Sequence, residues 1–179
     1  MLATSIGRRP DSGSGSSRFD SLAGNGGIVQ LVRIVYLSRM NTKTKGDIAE
    51  SRVLAELVSD FDVSIPFGDN TRYDLLVDDG TKIWRVQVKH ARCKEGKIKF
   101  HTVSKPTLRG NDKENRDYKG DADLFAVYSS EIDTVAYVTI EEVGDRVGMT
   151  LRFSKPENGQ SKGINWLRDY KNWPVAQTG

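Results

Sequence analysis

Asn70-Thr-Arg-Tyr-Asp74-Leu-Leu-Val-Asp-Asp-Gly80-Thr-Lys-Ile-Trp-Arg-Val-Gln87-Val-Lys89 reads as two β-strands joined by a tight turn. Tyr73 to Val77 and Lys82 to Lys89 are the strands. Asp79-Gly80 between them signals a two-residue hairpin loop, because glycine accepts the positive φ that such a turn demands. In that register Asp78 faces Thr81, Val77 faces Lys82 and Asp74 faces Arg85. Opposed residues share a face, and so do alternate residues along a strand. One face then carries Tyr73, Leu75, Val77, Trp84, Val86 and Val88, interrupted only by Lys82. The other carries Asp74, Leu76, Ile83, Arg85, Gln87 and Lys89. A slip of one residue would mix the two sets. The apolar face therefore supports the pairing, and the pairing gathers a carboxylate, an amide and an amine (Asp74, Gln87, Lys89) towards one end of the ribbon.

Such a trio has the parts that metal-dependent phosphodiester hydrolysis needs. A carboxylate oxygen holds a hard divalent cation, a second oxygen donor stands beside it, and an ammonium orients water or offsets charge on the phosphate. A half-exposed sheet face with solvated charges would show the same spacing, so the rest of the chain has to decide.

Lys43 to Asp60 carries an amphipathic helical pattern, with Thr44 placed as its cap and Asp47 three residues on. Its apolar stripe is Ala49, Val53, Leu54, Leu57 and Val58. Glu50 stands four and seven residues before Leu54 and Leu57, which sets it at the stripe. A carboxylate turned towards a core costs free energy unless a cation or donors satisfy it. A metal shared with Asp74 would do so; pairing with Arg52 or a lysine is the plainer alternative. Strands are expected at Phe61 to Phe67, Ile98 to Val103, Leu124 to Tyr128, Val135 to Thr139 and Met149 to Phe153. A helical turn is expected at Ile140 to Val143 and a short helix at Asn165 to Tyr170. Residues 104–120 form a polar loop whose Lys105, Arg109, Lys113, Arg116, Tyr118 and Lys119 suit phosphate contact.

A length of 179 residues with 37% hydrophobic and 28% charged residues suits one soluble domain with a sizeable core. The single cysteine, Cys93, excludes an internal disulfide and a multi-cysteine zinc cage, and fits a reducing cytoplasm. His90 and His101 lack ligand spacing, and no Gly-rich phosphate loop is present. Residues 1–39 begin with a Ser/Gly-rich stretch that reads as a disordered or non-native extension, with Met40 as an alternative start and the domain spanning 40–179. The apolar run Ile28 to Leu37 is too short to span a bilayer, so no membrane association is expected. Of 27 basic and 24 acidic residues, five and two lie within 1–40, so the remainder balances at 22 each. Net charge is therefore uninformative about nucleic acid, but its distribution is not: Lys89 to Lys119 holds ten Lys and Arg against four acids, next to the trio.

Lys45-Gly46 with Glu50, then Asp74, then Gln87-Val88-Lys89 resemble the PD-(D/E)XK nuclease superfamily, with glutamine replacing the usual acidic residue before X-Lys. Ile65 to Asn70, Tyr73-Asp74-Leu75 and Asp123 to Tyr128 more specifically resemble its small single-domain endonucleases of the group I intron homing type. The likeness spans about residues 41–170. It implies an α/β, restriction-endonuclease-like core, with a mixed central β-sheet flanked by helices. It also implies a site-specific, homing- or restriction-like endonuclease that cuts double-stranded DNA with Mg²⁺, Mn²⁺ being able to substitute. Because two strands must be cut, a homo-oligomer (dimer or tetramer) is expected. Carried over, Asp74 is the main metal ligand, Gln87 and the Val88 backbone carbonyl complete the set, Glu50 supports the metal, and Lys89 steadies water and phosphate. Gln87 weakens that inference, because a neutral amide holds a hard cation less strongly than a carboxylate. Two alternatives remain: a Holliday-junction resolvase, whose helix start Lys45 to Glu50 resembles, and a catalytically inactive nuclease fold kept for DNA binding.

Overall fold

The computed structural model describes residues 40–68, 70–104, 115–156, 159–160 and 162–174. The expected extension over 1–39 lies outside them. Helix α1 spans Thr42–Leu57 and α2 Ile140–Val143. The strands are β1 (Asp62–Ser64), β2 (Leu75–Asp78), β3 (Ile83–His90), β4 (Arg92–Lys94), β5 (Lys97–His101), β6 (Leu124–Ser129), β7 (Thr134–Thr139) and β8 (Gly148–Arg152), followed by a 3₁₀ turn at Leu167–Tyr170.

Asn41, not Thr44, caps α1: its side-chain oxygen accepts from the Thr44 N–H at 2.8 Å, and the helix starts earlier than expected. Ala49, Val53 and Leu57, spaced by four, are the fully buried row, whereas Val58 lies past the last turn and is 53% exposed. The row packs on a five-stranded sheet of order β1-β2-β3-β6-β7. β3 and β6 run parallel and every other neighbouring pair antiparallel, so the sheet is mixed as expected. β6 is buried along its whole length, as a strand covered on both faces must be.

Against the α1 side lie Leu75, Val77, Trp84, Val86, Val88, Leu124 and Ala126. The opposite face offers Phe125, Val127, Ala136 and Val138, which pack with Ile98, Phe100, Met149 and Leu151 of an antiparallel sheet of order β4-β5-β8. That separate second sheet is not evident from strand patterns alone.

The central hairpin forms, but its pairing is displaced by two residues: Leu75 opposes Val86, Val77 opposes Trp84 and Asp78 opposes Ile83. The loop is Asp79 to Lys82, and the Asp79 carboxylate is the reason. It accepts from the N–H groups of Thr81 (2.8 Å) and Lys82 (2.9 Å), and from the Trp84 indole N–H (2.6 Å). Gly80 still supplies the positive φ. Because the displacement is even, no side chain of the two strands changes face. Continuing the pairing by one residue sets Asp74 opposite Gln87 rather than Arg85, and the Asp74 N–H donates to the Val86 carbonyl at 2.8 Å. Tyr73, ahead of β2, leaves the apolar set and packs on the other core cluster. Lys82, its one polar member, sits with Nζ 3.4 Å from the Trp84 ring centroid, a cation–π contact.

The strand expected over Phe61 to Phe67 is confined to β1. Pro66 cannot donate to a ladder, and Ile65 and Phe67 are exposed. Phe61 instead packs on Trp173, with ring centroids 4.9 Å apart.

Candidate active site

Asp74, Gln87 and Lys89 meet where β2 begins and β3 ends. Asp74 Oδ2 accepts from the Val88 backbone N–H at 2.6 Å and from the Gln87 amide nitrogen, which also reaches the Val88 carbonyl at 3.3 Å. Burial raises the Asp74 pKa, and the Val88 N–H, the Lys89 charge and the Gln87 amide offset that only in part. Asp74 is thus a carboxylate short of positive charge.

Glu50 departs from expectation. The buried row of α1 passes one position away from it and leaves it solvent-accessible. It still feels the site: partial burial and the negative charges of Asp74 and Asp47 raise its pKa. Arg52 pairs with Asp133 at 3.1 Å and does not neutralise it.

Lys89 Nζ donates to the Tyr118 hydroxyl at 2.7 Å. Tyr118, expected to meet phosphate, is instead 6% exposed and packs edge-on to Phe125, with centroids 5.3 Å apart. The Arg72 guanidinium lies 4.4 Å from the Tyr118 ring centroid and is held by Asp121 and by Ser104 Oγ at 3.0 Å. Arg72 did not stand out in the sequence. Its signal was its place two residues before Asp74, which predicts the same side of an extended chain.

Arg85, released from the expected pairing with Asp74, forks onto Asp123: Nε to Oδ2 at 3.1 Å and Nη2 to Oδ1 at 2.8 Å. The Arg85 backbone N–H reaches the same carboxylate at 2.9 Å. Burial would raise the Asp123 pKa, but the Arg85 hydrogen bonds and charge outweigh it and hold the group low. This clamp joins the start of β6 to β3. His90, half-buried, lies 3.1 Å from Ser130 Oγ.

Lys105, Arg109 and Lys113 lie outside the described residues. Arg116 pairs with Asp121 at 3.2 Å and Lys119 with Asp145, and both cations stay exposed. Backbone bonds between Ser104 and Arg116, at 2.9 and 3.2 Å, pin the two ends of that loop together.

The model of the PD-(D/E)XK endonuclease family matches residues 40–173. The chain belongs to that family. Among solved structures, a bacterial homing endonuclease, I-Ssp6803I, shares the fold: 23% identity, a TM-score of 0.61, and coverage of 74% of this chain and 89% of that one. No curated protein matches the sequence.

In this member of the PD-(D/E)XK endonuclease family the available donors suit a hard divalent cation, all being oxygens: the Asp74 and Glu50 carboxylates, the Val88 carbonyl and the Gln87 amide. Burial raises the pKa of both carboxylates, and the charges of Asp74 and Asp47 add to the effect at Glu50; a bound cation would offset that cost of desolvation. Among the described residues no group of three or more His, Cys, Asp or Glu is placed to hold a metal, so a cation here depends on the amide and the carbonyl. With its nitrogen towards Asp74, Gln87 serves as a ligand only after the amide turns over.

Proposed function

We propose that this endonuclease hydrolyses phosphodiester bonds in double-stranded DNA, site-specifically and with Mg²⁺. The observation that carries the reading is the direct opposition of Asp74 and Gln87, with Lys89 on the same face and the Asp74 carboxylate under-neutralised. Asp74, Gln87, the Val88 carbonyl and Glu50 would hold the cation, and Mn²⁺ would substitute. When bound, the metal supplies Lewis-acid charge at the phosphate and a more acidic water.

The chain's own residues do the rest. The Val88 N–H fixes the Asp74 carboxylate in place. Lys89 presents an ammonium that stabilises charge building on the phosphoryl oxygens, and Tyr118 holds it in position. Residues 40–179 are the catalytic domain on this reading, acting as a homo-oligomer so that both strands are cut.

The test incubates the full chain with pooled random-sequence duplex DNA and with four-way junctions, with and without Mg²⁺, beside Asp74→Ala. Mg²⁺-dependent cutting of duplex that Asp74→Ala loses supports the reading. Preference for junctions transfers the assignment to a resolvase. DNA binding without cutting, with either Mg²⁺ or Mn²⁺, leaves an inactive binding module and sinks the proposal.

A further inference from the structure

Beyond the site, the β4-β5-β8 sheet has two contrasting faces. Ile98, Phe100, Met149 and Leu151 point into the core and are at most 3% exposed. The alternate residues, Arg92, Lys94, Lys97, Lys99 and Arg152, share the outward face. Pairing sets like charges directly opposite one another: Arg92 against Lys99, Lys94 against Lys97, and Lys97 against Arg152. Such pairs are destabilising in a sheet. Among the described residues the ion pairs on this face are Lys94 to Glu95 at 3.2 Å and Lys97 to Glu95 at 3.5 Å, and they share one carboxylate.

The inward apolar row prevents relief of the repulsion by a one-residue slip, which would bury the cations. Lysines on an exposed edge can simply deter strand-to-strand aggregation. That role does not account for cations on β5, which is central, nor for the shape of the surface. A groove of about 730 Å³ lies over β8, lined by Lys97, Arg146, Arg152 and Lys155 against one carboxylate, Glu95, together with the neutral donors Thr150 and Asn165. Concave, cationic and hydrogen-bonding, it matches the demands of a phosphodiester backbone. The face is also continuous with the site: β3, which carries Gln87 and Lys89, passes through Ala91 directly into β4. Arg92 is three residues beyond Lys89, roughly 10 Å of extended chain.

We propose that the outward face of the β4-β5-β8 sheet binds the phosphate backbone of duplex DNA flanking the cleavage position. The proposal rests on the endonuclease reading and places the main electrostatic contact on this sheet rather than on Arg116 and Lys119.

The experiment measures binding of the full chain to a fluorescent random-sequence duplex in EDTA, across a NaCl series. It compares the parent protein, the double variant Arg92→Gln/Lys99→Gln, and a control of equal charge change, Lys162→Gln/Lys171→Gln. The expected result is an affinity loss of about tenfold or more for the sheet variant, and a log K against log salt slope shallower by about two, one per lost phosphate contact. The control keeps the parent slope. Thermal melting of the sheet variant should be unchanged or higher, because it removes opposed like charges, which separates lost contact from lost folding. A parent that binds duplex and a sheet variant with the same slope would overturn the surface while leaving the endonuclease reading intact. Equal losses in the control would overturn it too. A parent that binds no duplex defeats both.

Discussion

Gln87→Glu restores the acidic residue expected at this position and gives the sharpest test of the metal-site assignment, because its readout is stability rather than activity. In the parent protein the Gln87 amide donates to Asp74 Oδ2. A hydrogen bond to a charged group is worth about 1.5–3 kcal/mol. A glutamate cannot donate, and it sets a second negative charge beside a carboxylate whose pKa is already raised by burial. Two unit charges roughly 4 Å apart at an effective dielectric of about 20 repel by about 4 kcal/mol. Proton uptake by the pair caps the total, so the metal-free variant should lose about 3–5 kcal/mol. For a domain of this size that is a fall in Tm of about 10–20 °C. Excess Mg²⁺ should return most of it, since a ligand that binds only the folded state stabilises by an amount that grows with the logarithm of its concentration over Kd. Urea and thermal unfolding in EDTA and in Mg²⁺ measure both quantities. A variant as stable as the parent in EDTA, or one that gains no more from Mg²⁺ than the parent does, refutes the placement of a cation between residues 74 and 87.

Three further outcomes follow from the same geometry. Lys89→Ala should abolish metal-dependent cleavage with an unchanged circular dichroism spectrum, whereas Tyr118→Phe, which removes one hydrogen bond to Lys89, should slow cleavage about tenfold; full activity in both would remove Lys89 from the mechanism. The Thr81 hydroxyl, the Lys82 N–H and the Trp84 indole hold the Asp79 carboxyl well below its ordinary 3.8 despite the opposing effect of burial. As pH falls the unfolded chain takes up the proton first, so this contribution is complete above about pH 4 and is lost towards lower pH; acid unfolding of Asp79→Asn should show a flatter limb than the parent. Trp173 meets Phe61, Trp84 and Tyr137 at centroid distances of 4.9, 5.6 and 5.3 Å. Trp173→Ala should therefore cost about 2–4 kcal/mol in urea unfolding, and a cost near zero would show that the chain's end does not brace the sheet.

The sequence by itself determined what depends on neighbours along the chain. Alternation between Leu75 and Val88 sorts the hairpin faces, so Asp74, Gln87 and Lys89 share a side in either pairing, expected or observed. Helix α1, the α2 turn and most of the later strands likewise follow from local periodicity and turn residues. Only the tertiary structure decided what depends on residues brought from afar. Asp79 reads locally as the first residue of a two-residue turn, yet its carboxylate, besides accepting from Thr81, Lys82 and Trp84 nearby, accepts from the indole of Trp173, 94 residues on. Lys89 finds Tyr118, Arg72 finds Asp121 and Arg85 finds Asp123 across separations of 29 to 49 residues, which no local pattern encodes. The cationic face arises in the same way. Its charges come from β5 and from strands on both sides of it, and they form one surface only because the apolar residues between them are committed to the core.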